Sequence, residues 1–378
     1  MAEKDVIIIG GGLAGTATAF YLAQDGVSVT LIERGGLGGE ASGANAGSLH
    51  AQIPADPFRH LGEAWARQFQ PALTLYVESL RMWGSLEAEL GTDLEIKFGG
   101  GLMVATSESE MAELARKAEI ERAAGLEIQL LTREETRRRA PYLADRAIGG
   151  AFCPQEGKAN PLLVAPAYAR AATRLGAEIL SAQGNATITR EATHYTVTAN
   201  NQTHRARRIV IAGGTGTPAL LEMLGLQLAI QAFPIQVSVT EPATPFIPPL
   251  VYCAGEKLTM KQTRIGSVLI AGGWNAPIAP RGRPVVDSDS LASNLALACA
   301  VVPGVASLTL LRTWAAFVNG TADWLPILGP LPGSPGAFIN YVPWLGFSGG
   351  PAAARALADM VQGRTPSVAA DFAAFAPK

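Results

Sequence analysis

The segment "DVIIIGGGLAGTATAFYLAQDGVSVTLIE", residues 5–33, leaves the chain few choices of fold. "DVIIIG" is a continuous β-branched run of the kind buried on both faces of a sheet. "GGGLAGTATAFYLAQDG" then reads as a tight turn and an apolar helix ending at Gly26, and "VSVTLIE" as a second strand. The apolar stretch has the look of a secretory leader, yet it lacks a basic start and runs straight into the second strand.

The glycines of the turn are spaced G-x-G-x-x-G at Gly10, Gly12 and Gly15, and Glu33 closes the second strand. Gly10 permits the sharp turn, Gly12 allows a pyrophosphate to approach the backbone, and Gly15 allows helix and strand to pack closely. The helix start, including Leu13 and Ala14, offers N–H groups and partial positive charge to that pyrophosphate. Glu33, followed by Arg34, is placed to accept hydrogen bonds from an adenosine ribose. Strand, helix and acid agree with one another, so the unit predicts an adenine dinucleotide site, and the acid argues against a 2′-phosphate and thus against NADP.

The rest of the composition narrows the class. At 378 residues the chain is long enough for two domains, with 48% hydrophobic and 16% charged residues and a formal net charge of −2. That balance, with no basic run, argues against nucleic acid as a partner. Cys153, Cys253 and Cys299 form no C-x-x-C pair, so no metal or iron–sulfur site is expected and each thiol is read as a small buried hydrophobe. No segment reaches the length needed to span a bilayer. A cytoplasmic location is expected.

After the second strand the chain does not continue into further alternating units. It gives "LGGEASGANAGSLHAQ", a stretch of small residues, and then a long helical stretch, "FRHLGEAWARQFQPALTLYVESLRMWGSLEAEL". Three further blocks follow: "GGAFCPQEGKANPLLVAPAYARAATRLGAEIL", "ARRIVIAGGTGTPALLEMLGL", and "RTWAAFVNGTADWLPILGPLPGSPGAFINYVPWLGFSGGPAAARALADMVQG". In this order, over essentially the whole chain, the blocks resemble the FAD-dependent D-amino-acid oxidase superfamily, which includes glycine and sarcosine oxidases.

The resemblance implies an α/β fold: a Rossmann-type FAD-binding domain with an inserted α+β substrate domain on a mostly antiparallel sheet. The implied FAD-binding residues are 1–52, 150–226 and 318–378; residues 53–149 and 227–317 would form the substrate domain. In the superfamily the loop matching Ser42–Ser48 wraps the pyrophosphate and the flavin edge. Ser42 would therefore contact phosphate, and Asn45, Ala46 and Gly47 would run beside the ring. Gly213 ends a buried strand near the cofactor. Gly346, Phe347, Ser348 and Gly349 would lie in a tight turn, with Pro351 near the first turn of the following helix, whose amino terminus would stabilise charge at the pyrimidine.

One motif departs from the pattern. Where D-amino-acid and glycine oxidases hold a carboxylate with W-A-G-x-R-P, this chain reads "WAAFVNG", placing Val318 and Asn319 at the arginine and proline positions. The combination resembles the flavoprotein subunits of heteromeric dehydrogenases for opines, D-hydroxyproline or proline. The implied reaction is hydride transfer from a secondary amino acid to flavin N5, with electrons passed to partner subunits carrying FMN or iron–sulfur clusters. A stand-alone oxidase producing hydrogen peroxide and a non-catalytic FAD-bound scaffold are the alternatives.

Substrate-side candidates are His50, Lys261 and Tyr252. His50 would face the ring edge or serve a structural role; Lys261, Arg264 and Arg59 would hold a carboxylate or be solvated; Tyr252 would donate its hydroxyl or pack. Arg312 is expected to brace the two domains.

Overall fold

The computed structural model describes residues 4–378. The first strand, Lys4–Ile9, pairs in parallel with Val29–Ile32 on one side and with Gln202–Ile211 on the other. Glu178–Leu180 extends this sheet beyond Val29–Ile32, and Ala337–Tyr341 extends it beyond the end of Gln202–Ile211. All four residues of Val29–Ile32 are buried, as a strand covered on both faces requires.

The helix between the first two strands, Leu13–Gln24, is buried along nearly its whole length. It packs against two later helices, Pro161–Arg174 and Gly346–Val361. Its close fit to the sheet depends on Gly15, where a Cβ would sit 1.9 Å from the carbonyl oxygen of Gly10.

A second sheet of eight strands carries, in spatial order, Leu310–Thr321, Ile230–Pro242, Ser267–Ala271, Thr259–Gln262, Leu250–Cys253, Gly101–Ala105, Gly149–Cys153 and Gln129–Thr132. Only Leu250–Cys253 against Gly101–Ala105 is parallel; the other pairings are antiparallel. The expected boundaries at residues 150 and 318 fall inside two of these strands, because pairing in this sheet continues past both positions. A small sheet of Ser48–Leu49, Gly157–Lys158 and Lys97–Phe98 lies where the segment after the first βαβ unit departs.

Two local expectations change. The long helical stretch is two helices, Ala55–Gln68 and Gln70–Leu90, and Gly62 at φ +79° interrupts the first. The carboxy-terminal helix begins at Gly346, not after the glycines, so Gly346–Gly350 form its first turn and Pro351 lies inside it. Small residues are required there: a Cβ on Gly349 would meet the Tyr76 ring at 2.6 Å, and one on Gly350 would meet Leu13 at 2.6 Å.

Candidate cofactor and substrate site

An open cleft runs along the carboxyl ends of the central parallel strands, where open α/β sheets hold ligands. Of the residues expected to hold the cofactor, Gly10, Gly12, Leu13, Ala14, Glu33, Arg34, Ser42, Asn45, Gly213, Gly346 and Phe347 line it. Gly10 has φ +116°, and a Cβ there would strike the Ala212 carbonyl oxygen at 2.2 Å. The helix that opens onto the cleft starts at Gly12, a residue with no side chain to cap it. Its positive end therefore faces the cleft.

Hydrogen bonds hold the rim in shape. Glu33 accepts from the N–H groups of Gly11 at 2.6 Å and Gly35 at 2.7 Å, one on each oxygen. Ser42 Oγ accepts from Leu13 N at 2.9 Å, which joins the small-residue loop to the helix start. Asn45 donates to the carbonyls of Ala41 and Ser42 and accepts from Gly47 N, closing the short helix Ala41–Ala44.

Gly15, Ala46, Gly47, Ser348 and Gly349 stand off the cleft. Gly15 packs helix to strand, as its spacing indicated. Gly47, at φ +75°, presses on Ala159, whose carbonyl oxygen a Cβ would meet at 2.2 Å. Ser348 is fully buried and its hydroxyl is committed: it accepts from His50 N at 2.9 Å and donates to the Ser48 carbonyl at 3.3 Å. Ser348 thus fastens the carboxy-terminal helix to the loop and is not free to face a cofactor.

Sequence reasoning missed much of the opposite wall, which includes Gly214, Thr215, Asn340 and Trp344. Trp344 sits between Phe233 and Trp324, with ring centroids 4.7 and 4.4 Å away. Both tryptophans have positive φ, +54° for Trp344 and +69° for Trp324, a conformation that side-chain-bearing residues adopt at a cost. The glycine-rich "GTGT" after Gly213 was the one legible signal for this wall. Val318 and Asn319 also line the cleft, and no arginine from Leu310–Thr321 reaches it.

The substrate-side candidates separate into two groups. His50, Tyr252 and Lys261 lie near one another but none lines the cleft: the His50 and Tyr252 rings are 5.8 Å apart, and Lys261, whose charge acts on His50, donates from Nζ to Ser48 Oγ at 2.8 Å. Burial and the nearby Lys261 charge lower the His50 pKa to about 4. Burial, aided by Lys158, holds the Lys261 ammonium well below the usual lysine range. Arg59 and Arg264 instead form ion pairs, Arg59 with Glu113 at 2.8 Å and Arg264 with Asp93 at 2.6 Å. Arg59 also donates to the carbonyls of Ala254 and Gly255. The connection expected of Arg312, which is exposed, is made by its neighbour Trp314, whose Nε1 donates to the Ala44 carbonyl at 2.7 Å.

Among the described residues no group of three or more His, Cys, Asp or Glu side chains is arranged to hold a metal ion, and the three cysteines are free. No helix among them is long and apolar enough to cross a membrane.

The chain is similar to curated proteins along most of its length. It is 27% identical to the beta chain of sarcosine oxidase from an Arthrobacter species, over 87% of this chain and 79% of that one. It is 28% identical to one of the opine oxidase subunits of Rhizobium meliloti, over 90% and 88%. Among solved structures, glycine oxidase from Geobacillus kaustophilus superposes with a TM-score of 0.85 at 25% identity, covering 100% of this chain and 99% of that one. L-Proline dehydrogenase from P. horikoshii gives 0.87 at 23% identity, over 97% and 96%, a likeness of fold. The glycine cradle and the helix start that faces the cleft fit FAD. A family model for FAD dependent oxidoreductases matches residues 5–360, and the chain belongs to that FAD-dependent oxidoreductase family, DAO.

Proposed function

We propose that this oxidoreductase breaks the α-C–H bond of a secondary amino acid of the opine, D-hydroxyproline or proline type, leaving an imine that hydrolyses. The observation that carries the reading is the cleft wall at Val318 and Asn319, which offers no guanidinium to a simple amino acid's carboxylate. A bidentate arginine contact has no apolar equivalent. The similarity to chains of sarcosine oxidase and opine oxidase supports a substituted amine as substrate.

Bound FAD supplies the two-electron acceptor. The chain's part is to position the amine and remove its ammonium proton. His50, its pKa lowered to about 4, is uncharged at neutral pH, and burial makes the Lys261 amine, which bonds to Ser48 Oγ, easier to deprotonate than an exposed lysine. Lys261 Nζ takes the proton from the substrate ammonium, leaving the neutral amine that oxidation requires. Tyr252, whose buried hydroxyl lies beside the Glu156 carboxylate without a close hydrogen bond to it, donates to the substrate.

The same similarities support a role as the flavoprotein component of a larger dehydrogenase, with partner chains accepting electrons. Anaerobic mixing with opines, proline derivatives and N-methyl amino acids tests the reaction: at least one should bleach the flavin band. A flavin that none of them reduces would defeat the reading and favour a non-catalytic scaffold. The glycine oxidase superposition over the whole chain favours a second reading, a stand-alone oxidase. Hydrogen peroxide formed in air in step with substrate consumption would decide for it.

A further inference from the structure

The backbone of residues 50–53 is held in an unusual way. Four successive N–H groups donate to side chains from three remote elements. His50 N reaches Ser348 Oγ at 2.9 Å, Ala51 N and Gln52 N both reach Glu156 Oε1 at 2.7 and 2.8 Å, and Ile53 N reaches Glu121 Oε1 at 2.6 Å. The ladder between Ser48–Leu49 and Gly157–Lys158 stops at the Leu49–Gly157 pair. Beyond it, the side chain of Glu156 accepts where a strand's carbonyls would have done.

Glu156 and Glu121 are both fully buried. Glu121 is paired with Lys117 at 2.5 Å. Among the described residues no cation pairs with Glu156; its second oxygen accepts from Gln52 Nε2 at 3.0 Å. A Cβ at Gly101 would lie 1.8 Å from that oxygen, so Gly101 provides the space the carboxylate fills. Burying a carboxylate without a cation is costly, and a continued strand with an apolar side chain would avoid it. The arrangement turns the chain out of the ladder immediately after His50, towards Tyr252.

We propose that Glu156 is a positioning residue for the substrate side of the site, its carboxylate clamping Ala51 and Gln52 so that His50 is presented to Tyr252 and the reacting amine. Glu121, secured by Lys117, anchors the next residue. The inference rests on the proposed amine oxidation for its kinetic consequence, but its structural part is measured without substrate.

Two substitutions separate position from charge. Glu156→Gln keeps an acceptor at Oε1 for Ala51 and Gln52, at the cost of one local bond, since Gln52 can turn over to meet the new amide only by giving up its bond to the Gly101 carbonyl. Glu156→Asp keeps the charge but withdraws the acceptor by one methylene. On the FAD-loaded protein, hydrogen–deuterium exchange across residues 48–54 should quicken about tenfold or more in Glu156→Asp while residues 4–9 are unchanged. The visible circular dichroism of the flavin should change with it. With an amine that reduces the wild type, the limiting rate of flavin reduction should fall roughly ten- to a hundredfold with little change in KM. Glu156→Gln should stay much closer to wild type in every measurement.

Unchanged exchange at 48–54 in Glu156→Asp, or faster exchange with unchanged dichroism and rate, would overturn the proposal. So would a larger defect in Glu156→Gln than in Glu156→Asp, since charge and not position would then matter. Where no amine reduces the wild-type flavin, it is the oxidation reading that fails, and exchange and dichroism still decide the clamp. If Glu156→Asp does not fold, Glu156→Asn, which withdraws the acceptor without burying a charge, takes its place in the comparison with Glu156→Gln.

Discussion

Lys261 Nζ donates to Ser48 Oγ at 2.8 Å across the boundary between the second sheet and the loop that follows the first βαβ unit. The lysine is buried, with only 2% of its surface exposed, and no acidic side chain forms an ion pair with it among the described residues. Burying a lysine amine without a counter-charge opposes folding, whether the cost is desolvation of the ammonium or loss of its proton. Replacing it by a side chain of similar length and no charge, Lys261→Met, should raise stability by roughly 1–2 kcal/mol while slowing anaerobic flavin reduction. Thermal melting and stopped-flow absorbance check the two halves. A variant that is less stable and equally fast would assign Lys261 to the scaffold.

His50 provides a pH test whose sign is fixed by its shift. Its folded pKa of about 4 lies below the ordinary value of 6.5. As the pH falls below about 6.5, the unfolded chain therefore takes up a proton that the native ring refuses. The stability of the wild type relative to His50→Gln should be constant above neutrality, decline from about pH 6.5 towards 4 and level off below. Melting curves of both proteins at half-unit pH steps would show it. A relative stability independent of pH would mean that the ring titrates normally.

Lys158 carries the same kind of signal in the alkaline range. Burial, with the neighbouring Lys97 charge, lowers its pKa from 10.5 to about 8, while its Nζ donates to the carbonyls of Pro248 and Gln262. Between those two values the unfolded state binds more protons, so stability should rise with pH from about 8 to 10. Lys158→Met should remove that rise, as urea midpoints across the range would report.

At the cofactor end the sharpest expectation concerns Gly15. An alanine there would bring its Cβ to 1.9 Å from the Gly10 carbonyl oxygen, and the turn cannot yield without moving Gly10 against Ala212. Gly15→Ala should lose ~3 kcal/mol or more and be purified with little or no FAD, measured by the 450 nm absorbance per chain.

These residues also show where the sequence was readable. The first βαβ unit could be placed because its information is local: a β-branched run, three spaced glycines and an acid define strand, turn, helix and strand within thirty residues. The small-residue loop from Ser42 was placed by resemblance; in the structure Ser42 bonds to Leu13, and Ala44 accepts from Trp314. Local pattern failed at the carboxy-terminal helix. Glycine, serine and proline in "GFSGGP" signal a turn, but close packing on Tyr76 and Leu13 outweighs their poor helix propensity.

The role of Glu156 was invisible for a different reason. The acid of "EGKANP" was legible only as part of a block that resembles the superfamily's acidic-Gly-x-x-x-Pro segment, and its burial and its role as acceptor for residues a hundred positions earlier were not. The Trp344 wall was hidden likewise, since its stacking partners, Phe233 and Trp324, meet it only in the folded chain.

Leu310–Thr321 is one uninterrupted strand that begins at the exposed end of the second sheet and finishes with Val318 and Asn319 on the cleft wall. Ile230–Pro242 matches it residue for residue from Ile230–Thr321 to Val239–Arg312, with the only irregularity beyond that point. Because side chains alternate along a strand, inserting or deleting one residue anywhere in Arg312–Thr321 would exchange the inward and outward sets. Val318 would leave the wall and a neighbour would take its place. The length of the chain can therefore change without that penalty only outside the paired segment, as in the turn before Leu310, and within it the wall is altered by substitution.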